Sequence, residues 1–447
     1  MVAGLTAASI GLIYGYDSGA IAAALLFVSD EFGLNAQQQG LLTTTAVIGQ
    51  MVGALGAGVL ADRIGRQRCM VLITAGYAVF ALAGAVAPAL PTLLCARFLI
   101  GLTVGVSVVV VPVYVAESAP TKVRGSLLAA YQLTTVSGVV LGYLVGYLMA
   151  NAHNWRGILG AAALPAAVLL VLVLRLPDTA RWYVLNNRVD DARRALRGVY
   201  PGATTAEIDA EVAEIHQAVG EELRGGTGRI SEMLRPPYRR ATLFVVALGF
   251  LIQITGINAI VYYSPRLFGA MGFTGYVALL GLPALVQVVG LAAVVAALLL
   301  VDKVGRKPIL LSGIALMIVA DLMLVGVFGS GGLGGASLVF GFTAIVLFIV
   351  GFDFGFGTMA WVFAGESFPS RLRSLGSSAM LTSSLAANAV IAAGFLTMLN
   401  TLGGAGTFAV FAVLAAISFA MIYRFAPETK GRQLEEIAHF WENGGRW

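Results

Sequence analysis

Four ionisable residues stand inside long apolar stretches: Asp17, Arg97, Asp321 and Asp353. An Asp or Arg at the centre of a bilayer-spanning helix costs about 2.5–3.5 kcal/mol on insertion scales, so each is read first as a functional group. Asp17, well before Asp30, and Arg97, just past Pro91, fall at similar depth in segments that run in opposite directions. They can pair. A carboxylate that binds a guanidinium when dry and takes a proton when the two separate would couple proton flow to a conformational change; a permanent structural ion pair is the alternative. Asp353, in Gly351-Phe352-Asp353-Phe354-Gly355, is expected near the membrane midplane and facing a cavity. Asp321 reads either as a buried cap or as a functional acid.

Neutral polar groups form a second set. Gln132, Gln253, Asn258, Tyr262, Tyr263 and Asn388 present amides and hydroxyls in otherwise apolar surroundings. Amides donate and accept, which suits ligand hydroxyls, although Asn and Gln also serve as glue between helices. The grouping of Gln253, Asn258, Tyr262 and Tyr263 around Gly256 and Pro265, which loosen a helix, favours a binding site. Gly138, Gly142 and Gly146 make a small-residue ridge for close helix packing.

A third set joins acids to arginines and repeats along the chain. Asp62-Arg63-Ile64-Gly65-Arg66 is matched by Asp302-Lys303-Val304-Gly305-Arg306, Glu117-Ser118-Ala119-Pro120 with Arg124 by Glu366-Ser367-Phe368-Pro369 with Arg373, and Pro177-Asp178-Thr179 with Arg181 by Pro427-Glu428-Thr429. The recurrence at a spacing of roughly 240–250 positions marks two homologous halves. Arginine forks bind carboxylates bidentately and carboxylates sit well on helix N-termini, so these motifs read as latches at helix ends, against the plainer reading of charged anchors.

The elements that hold these residues follow from composition. Of 447 residues 58% are hydrophobic and 11% charged, against about 25% charged in soluble domains. Twelve runs are long enough to span a bilayer: 2–27, 39–60, 69–88, 91–115, 126–149, 157–175, 241–264, 276–301, 308–330, 337–364, 375–399 and 405–425. The fold class is an all-α integral membrane protein with twelve spans in two parallel six-helix repeats. Of the 28 Lys and Arg residues, all but Arg97, Arg156 and Arg266 lie at one set of helix ends or beyond them. This puts both termini in the cytoplasm. The expected divisions are an N-terminal half, 1–175, a cytoplasmic linker, 176–240, a C-terminal half, 241–425, and a tail, 426–447. The linker balances ten basic against ten acidic residues from Pro177 to Arg240, and Thr204-x-x-Glu207 is a capping box followed by Ile208, Val212, Ile215 and Val219 at helical spacing. It reads as short amphipathic helices under the bundle. The first run lacks a basic leader and is expected to be a retained helix. Cys69 and Cys95 fall near opposite membrane faces and are not expected to pair.

Several of these motifs, in order along nearly the whole chain, resemble the sugar porter family of the major facilitator superfamily. The matching residues are Tyr14-Gly15-Tyr16-Asp17 with Gly19, Gly58 to Arg66, Arg97-Phe98-x-x-Gly101, and Pro112 to Glu117 with Arg124-Gly125. Further on come Trp155-Arg156, Pro177 to Trp182, Thr255 to Asn258 with Tyr262-Tyr263-x-Pro265, Asp302 to Arg306, and Pro427 to Arg432. The resemblance implies alternating-access transport of a monosaccharide or polyol. It implies sugar contacts at Gln132, Gln253, Asn258 and Asn388, a pocket lined by Tyr14, Phe352 and Trp361, and proton coupling by Asp17 and Arg97. The sequence departs from the family at Ile252, where a first glutamine would stand, at Gly290, where an asparagine would, at Ser384-Leu385 in place of Asn-Trp, and at Thr358 in place of a proline. Each lost partner leaves a ligand hydroxyl unsatisfied at about 1–3 kcal/mol, so weak glucose binding is expected.

The function expected is secondary active transport by proton symport. The alternatives are a facilitative uniporter, a carrier of another small molecule, and a non-transporting nutrient sensor, which would carry a long soluble tail. The expected partners are a sugar or polyol, protons and the lipid bilayer of a cell membrane, for a monomer without nucleic acid, cofactor or metal. His153, His216 and His439 are scattered and no nucleophile elbow or phosphate-binding loop occurs, so no enzyme is expected.

Overall fold

The computed structural model describes residues 2–119, 124–200, 202–225, 230–331, 335–368, 370–430, 432 and 434–443, and these form helices and turns with no strand among them. Among the described residues eleven helices are long and apolar enough to cross a bilayer. The last, Leu372–Phe425, runs 54 residues, about 80 Å of helix against a hydrocarbon core of about 30 Å. It is two spans. The break falls at Gly403, whose φ of 68° is the left-handed region that glycine tolerates. Spans 1 to 6 are Ala3–Phe32, Ala36–Ile64, Arg66–Ala85, Leu90–Ser118, Ala130–Ala152 and Trp155–Val173. Spans 7 to 10 are Arg239–Ala270, Val277–Val304, Arg306–Gly329 and Ala336–Glu366, and spans 11 and 12 share Leu372–Phe425. Most helices outrun their apolar cores, because the charged motifs continue the same helices past the membrane.

Two of the C-terminal spans are discontinuous. Span 7 ends its first segment at Ile254 and resumes at Ile257 across Gly256, whose φ is 101° and where a Cβ would come within 2.8 Å of the Phe411 ring. Pro265 adds a second irregularity, with Tyr263 at non-helical φ −119°. Span 10 breaks at Gly355, between Ala336–Phe354 and Phe356–Glu366.

The chain divides into two compact units. Unit 1 holds Met1–Asp17, Ile48–Gly138 and Arg156–Thr227. Within it spans 2 and 4 touch backbone to backbone, since a Cβ on Gly49, Gly53 or Gly105 would collide with the carbonyls of Phe98, Leu102 or Gln50. Linker helices Ala180–Leu185, Val189–Val199 and Thr205–Gly225 pack around Ala180, Val184, Ala192, Leu196, Ile208 and Val212. The capping box forms: the Glu207 N–H donates to Thr204 Oγ1 at 3.3 Å, and the Thr204 N–H and hydroxyl donate to the Glu207 carboxylate at 2.7 Å and 2.9 Å and hold it below its ordinary range. Unit 2 holds Ser18–Val47, Val139–Trp155 and Gly228–Trp447. The small residues of spans 1 and 5 meet inside each unit: Gly138 against Leu12 and Tyr16 in unit 1, Gly19 against Val139 and Gly146 against Ala23 in unit 2. Cys69 is buried, Cys95 is exposed, and both are free.

Asp321 caps nothing. It is fully buried in span 9 and both carboxylate oxygens lack a hydrogen-bond partner among the described residues. An unmet buried polar group costs about 1–3 kcal/mol. Asp321→Ala is therefore expected to raise the unfolding temperature in detergent with transport unchanged; a lower temperature or lost transport in that variant would contradict a purely destabilising role.

Candidate functional site

In unit 1, span 1 delivers Asp17 and span 4 delivers Arg97, and the two form an ion pair that is 6% and 2% exposed respectively. Arg97 Nε is buried without a partner, as is the hydroxyl of Tyr77 on span 3. Tyr16, beside Asp17, donates its hydroxyl to the Ile158 carbonyl at 2.8 Å and so ties span 1 to span 6. At such burial an uncompensated charge is costly, so separating this pair demands that water or a proton replace the partner. Tyr14 and Gln132 also belong to unit 1, each half-buried.

Unit 2 gathers the polar groups of spans 7 and 11. Asn258 donates to Gln253 across the break at Gly256, and Asn388 donates to the Tyr262 hydroxyl at 3.4 Å. The Asn388 carbonyl oxygen is buried without a partner, an acceptor available to a donor from outside the protein. Phe352 is buried, whereas Trp361 is 42% exposed. Ile252 is buried and apolar at the site of the missing glutamine; Leu385 is likewise buried. Asp353 is 5% exposed on span 10, immediately before the break.

One end of unit 2 is closed by contacts that the sequence did not disclose. Thr43 on span 2 and Tyr263 on span 7 place their hydroxyls 2.6 Å apart, and Tyr263 donates to the Ala392 carbonyl of span 11 at 2.6 Å. Gly40 packs so closely that a Cβ would stand 2.7 Å from the Ala393 carbonyl. Arg266 donates to Ser29 at 2.6 Å, and Tyr143 donates to the Val261 carbonyl. Tyr263→Phe removes a hydroxyl from the centre of this closure, a loss of about 1–3 kcal/mol. The expected result is faster thiol labelling of an Ala393→Cys reporter in the Phe variant, by about tenfold; unchanged labelling would mean that the closure does not depend on the hydroxyl.

The latch residues pair within their own half. In unit 1 Arg66 binds Asp62 at 3.0 Å and Glu117 at 3.3 Å, Arg181 reaches Glu117 at 3.8 Å, and Thr179 donates to Glu117 at 2.6 Å. Asp178 accepts from the N–H groups of Arg66 and Gln67 at the start of span 3. Burial raises the Asp178 carboxyl above its ordinary range, opposed by those bonds, the Thr179 N–H and Arg66. In unit 2 Arg306 binds Asp302 at 3.1 Å, and Glu428 accepts from the N–H groups of Arg306 and Lys307, each at 3.1 Å, at the start of span 9. The repeats thus reproduce the same helix cap. They differ at the next acid: among the described residues Glu366 leaves Oε2 buried without a partner, while Arg373 Nε lacks a hydrogen bond, as do Arg66 Nε and Arg306 Nε. Arg63 is exposed, and the Arg124 side chain lies outside the described residues.

A bundle of broken and unbroken spans with a buried intramembrane ion pair and amides at a helix break defines a multi-pass membrane transporter. Residues 3–441 match the family described as Sugar (and other) transporter, and the chain belongs to that family. It is similar to the galactose-proton symporter of Escherichia coli (strain K12), 35% identical over 436 residues, 96% of this chain and 92% of that protein. It is also similar to the arabinose-proton symporter of the same strain, 32% identical over 442 residues, 98% of this chain and 92% of that protein. Among solved structures, the xylose transporter XylE from E. coli in a partially occluded inward-open conformation shares the fold with a TM-score of 0.84 at 22% identity, covering 97% of this chain and 99% of that one.

Proposed function

We propose that this chain is a proton-coupled symporter of a monosaccharide or polyol, working by alternating access in a cell membrane with both termini cytoplasmic. The observation that carries the reading is the Asp17–Arg97 ion pair, buried inside the membrane span. A facilitator has no use for a buried acid there. Relatives named for galactose-proton and arabinose-proton symport support the same class of cargo.

In this reading the halves 1–175 and 241–425 rock about a central site while the linker 176–240 tethers them. Gln132 and Tyr14 contribute from the N-terminal half; Gln253, Asn258, Tyr262, Asn388, Phe352 and Trp361 contribute from the C-terminal half. The closed end described above is the extracellular one. The latch acids and arginines, Asp62, Arg63, Arg66, Glu117, Arg124, Asp178, Arg181, Asp302, Arg306, Glu366, Arg373 and Glu428, hold the cytoplasmic ends. The contacts seen run within each half, so weakening these residues shifts the population toward the inward-open state only through additional contacts that bridge the halves when the cytoplasmic side is closed.

Uptake into proteoliposomes under an inward proton gradient, across a panel of hexoses, pentoses and polyols, tests the proposal. Accumulation above equilibrium of at least one member is expected, with glucose a poor substrate because Ile252, Gly290 and Leu385 replace polar or aromatic partners. Uptake that stops at equilibrium would overturn symport, and no uptake of any member would overturn the substrate class.

A further inference from the structure

Span 8 carries no side chain at Gly290, and the space is taken from span 10. A Cβ built on Gly290 would overlap Oδ2 of Asp353 and come within 2.8 Å of Ile349. The carboxylate therefore rests against the bare backbone of span 8. Its other oxygen points toward Gly357, just past the break, where a Cβ would stand 3.4 Å away.

No counter-charge reaches it. The elements packed against this segment are spans 8 and 9, the second part of span 7 and the end of span 10. Their ionisable groups inside the membrane are Asp321, Tyr262, Tyr263 and Arg266; those toward the cytoplasmic end are Asp302, Lys303, Arg306, Lys307 and Glu366. Arg266 is held by Ser29, Tyr263 by Thr43 and Ala392, and Arg306 by Asp302. Among the described residues none of the nine forms an ion pair or hydrogen bond with Asp353. An ionised carboxylate left so costs several kcal/mol, and a protonated one far less.

We propose that Asp353 is a second proton-binding group of the transport cycle, kept free of a partner by Gly290 and exchanging its proton when the break in span 10 is hydrated. It is neutral when the surroundings are dry and ionised when they are wet, so the acid senses the same hydration cycle that alternating access imposes. The inference rests on the proton-coupled reading above, but it concerns a different residue in the other half and can fail separately.

Difference infrared spectroscopy of the full chain in lipid, scanned over pH, reads the group directly through the carbonyl stretch of a protonated carboxyl. The expected result is a band in the wild type that is lost as pH rises, the protonated fraction falling about tenfold per pH unit above the midpoint. That titrating band should be absent from Asp353→Asn and present in Asp17→Asn. A band that never titrates, or an Asp353→Asn spectrum identical to wild type, would overturn the proposal. Should Asp353→Asn fail to fold, Gly290→Ala displaces the carboxylate and must move the titration; an unmoved titration overturns it equally. Proton uptake on adding D-galactose or D-xylose to wild-type proteoliposomes separates the two readings. Its absence there, with the titrating band present, would count against coupled transport of these sugars and leave the infrared result for Asp353 standing.

Discussion

Asp17→Asn is expected to abolish accumulation of sugar against its gradient while exchange of labelled for unlabelled sugar continues. With one proton carried per sugar, each pH unit of gradient is worth about 1.4 kcal/mol and sustains about tenfold accumulation. The amide of Asn cannot take up that proton, so the accumulation ratio should fall to about one. Exchange requires only that the loaded carrier move back and forth, and no net proton crosses. The amide can still accept a hydrogen bond from Arg97, which limits the penalty of leaving that buried guanidinium without its counter-charge. Counterflow and gradient-driven uptake measured in the same vesicles decide the matter. Undiminished accumulation would remove Asp17 from the coupling step, and loss of both activities would point to a structural ion pair.

Glu117→Gln is the second substitution with a large expected effect. Glu117 meets Arg66, Arg181 and Thr179 at once, and Arg66 is itself buried. Removing one member of a buried pair leaves a charge uncompensated, at a cost on the order of 3 kcal/mol. Asp62, which stays on Arg66, is exposed, and its contribution is that of a surface pair, at most about 1 kcal/mol; Asp178 binds the Arg66 backbone N–H and not the guanidinium. A clear fall in unfolding temperature is expected, together with increased accessibility from the cytoplasmic side. Glu366→Gln, whose Oε2 has no partner among the described residues, should be much milder. Equal losses from the two substitutions would show that the asymmetry between the repeats carries no energetic weight.

The sequence was most legible where one rule acts alone. Apolar run length located all twelve spans, because hydrocarbon leaves the backbone no alternative to helix. Asp17 and Arg97 could be matched by depth, since two opposite charges in lipid have few other places to go. The capping box at Thr204 was local and formed as written. What stayed hidden depends on tertiary geometry. Tyr263 was visible as a polar residue on a loosened helix, but its partners Thr43 and Ala392 lie 220 and 129 positions away. The latch motifs announced carboxylate and guanidinium pairs without saying that Asp178 and Glu428 would cap the helices starting at Arg66 and Arg306. Gly290 was conspicuous only as a missing asparagine. That its emptiness is filled by Asp353 needs the crossing of spans 8 and 10, which no periodicity encodes. Run length also separated spans 11 and 12, at 375–399 and 405–425, and the left-handed Gly403 that turns the chain falls in the gap between them; that the helix continues on both sides of a single glycine with no polar loop was not legible.

The composition of unit 2 has a consequence for biosynthesis. Residues 18–47 and 139–155 belong to the same compact unit as the C-terminal spans, so the ends of spans 1, 2 and 5 are made long before Tyr263, Arg266 and Ala392 leave the ribosome. During that interval lipid or an insertion chaperone must cover Gly40, Thr43 and Ser29, and the N-terminal half waits in the bilayer with one end unfinished. A nascent chain arrested after the linker should therefore be more sensitive to protease at the loop around Asn35 than the released protein. The protection of that loop on release is the expected sign of a late docking step between segments far apart in the polypeptide.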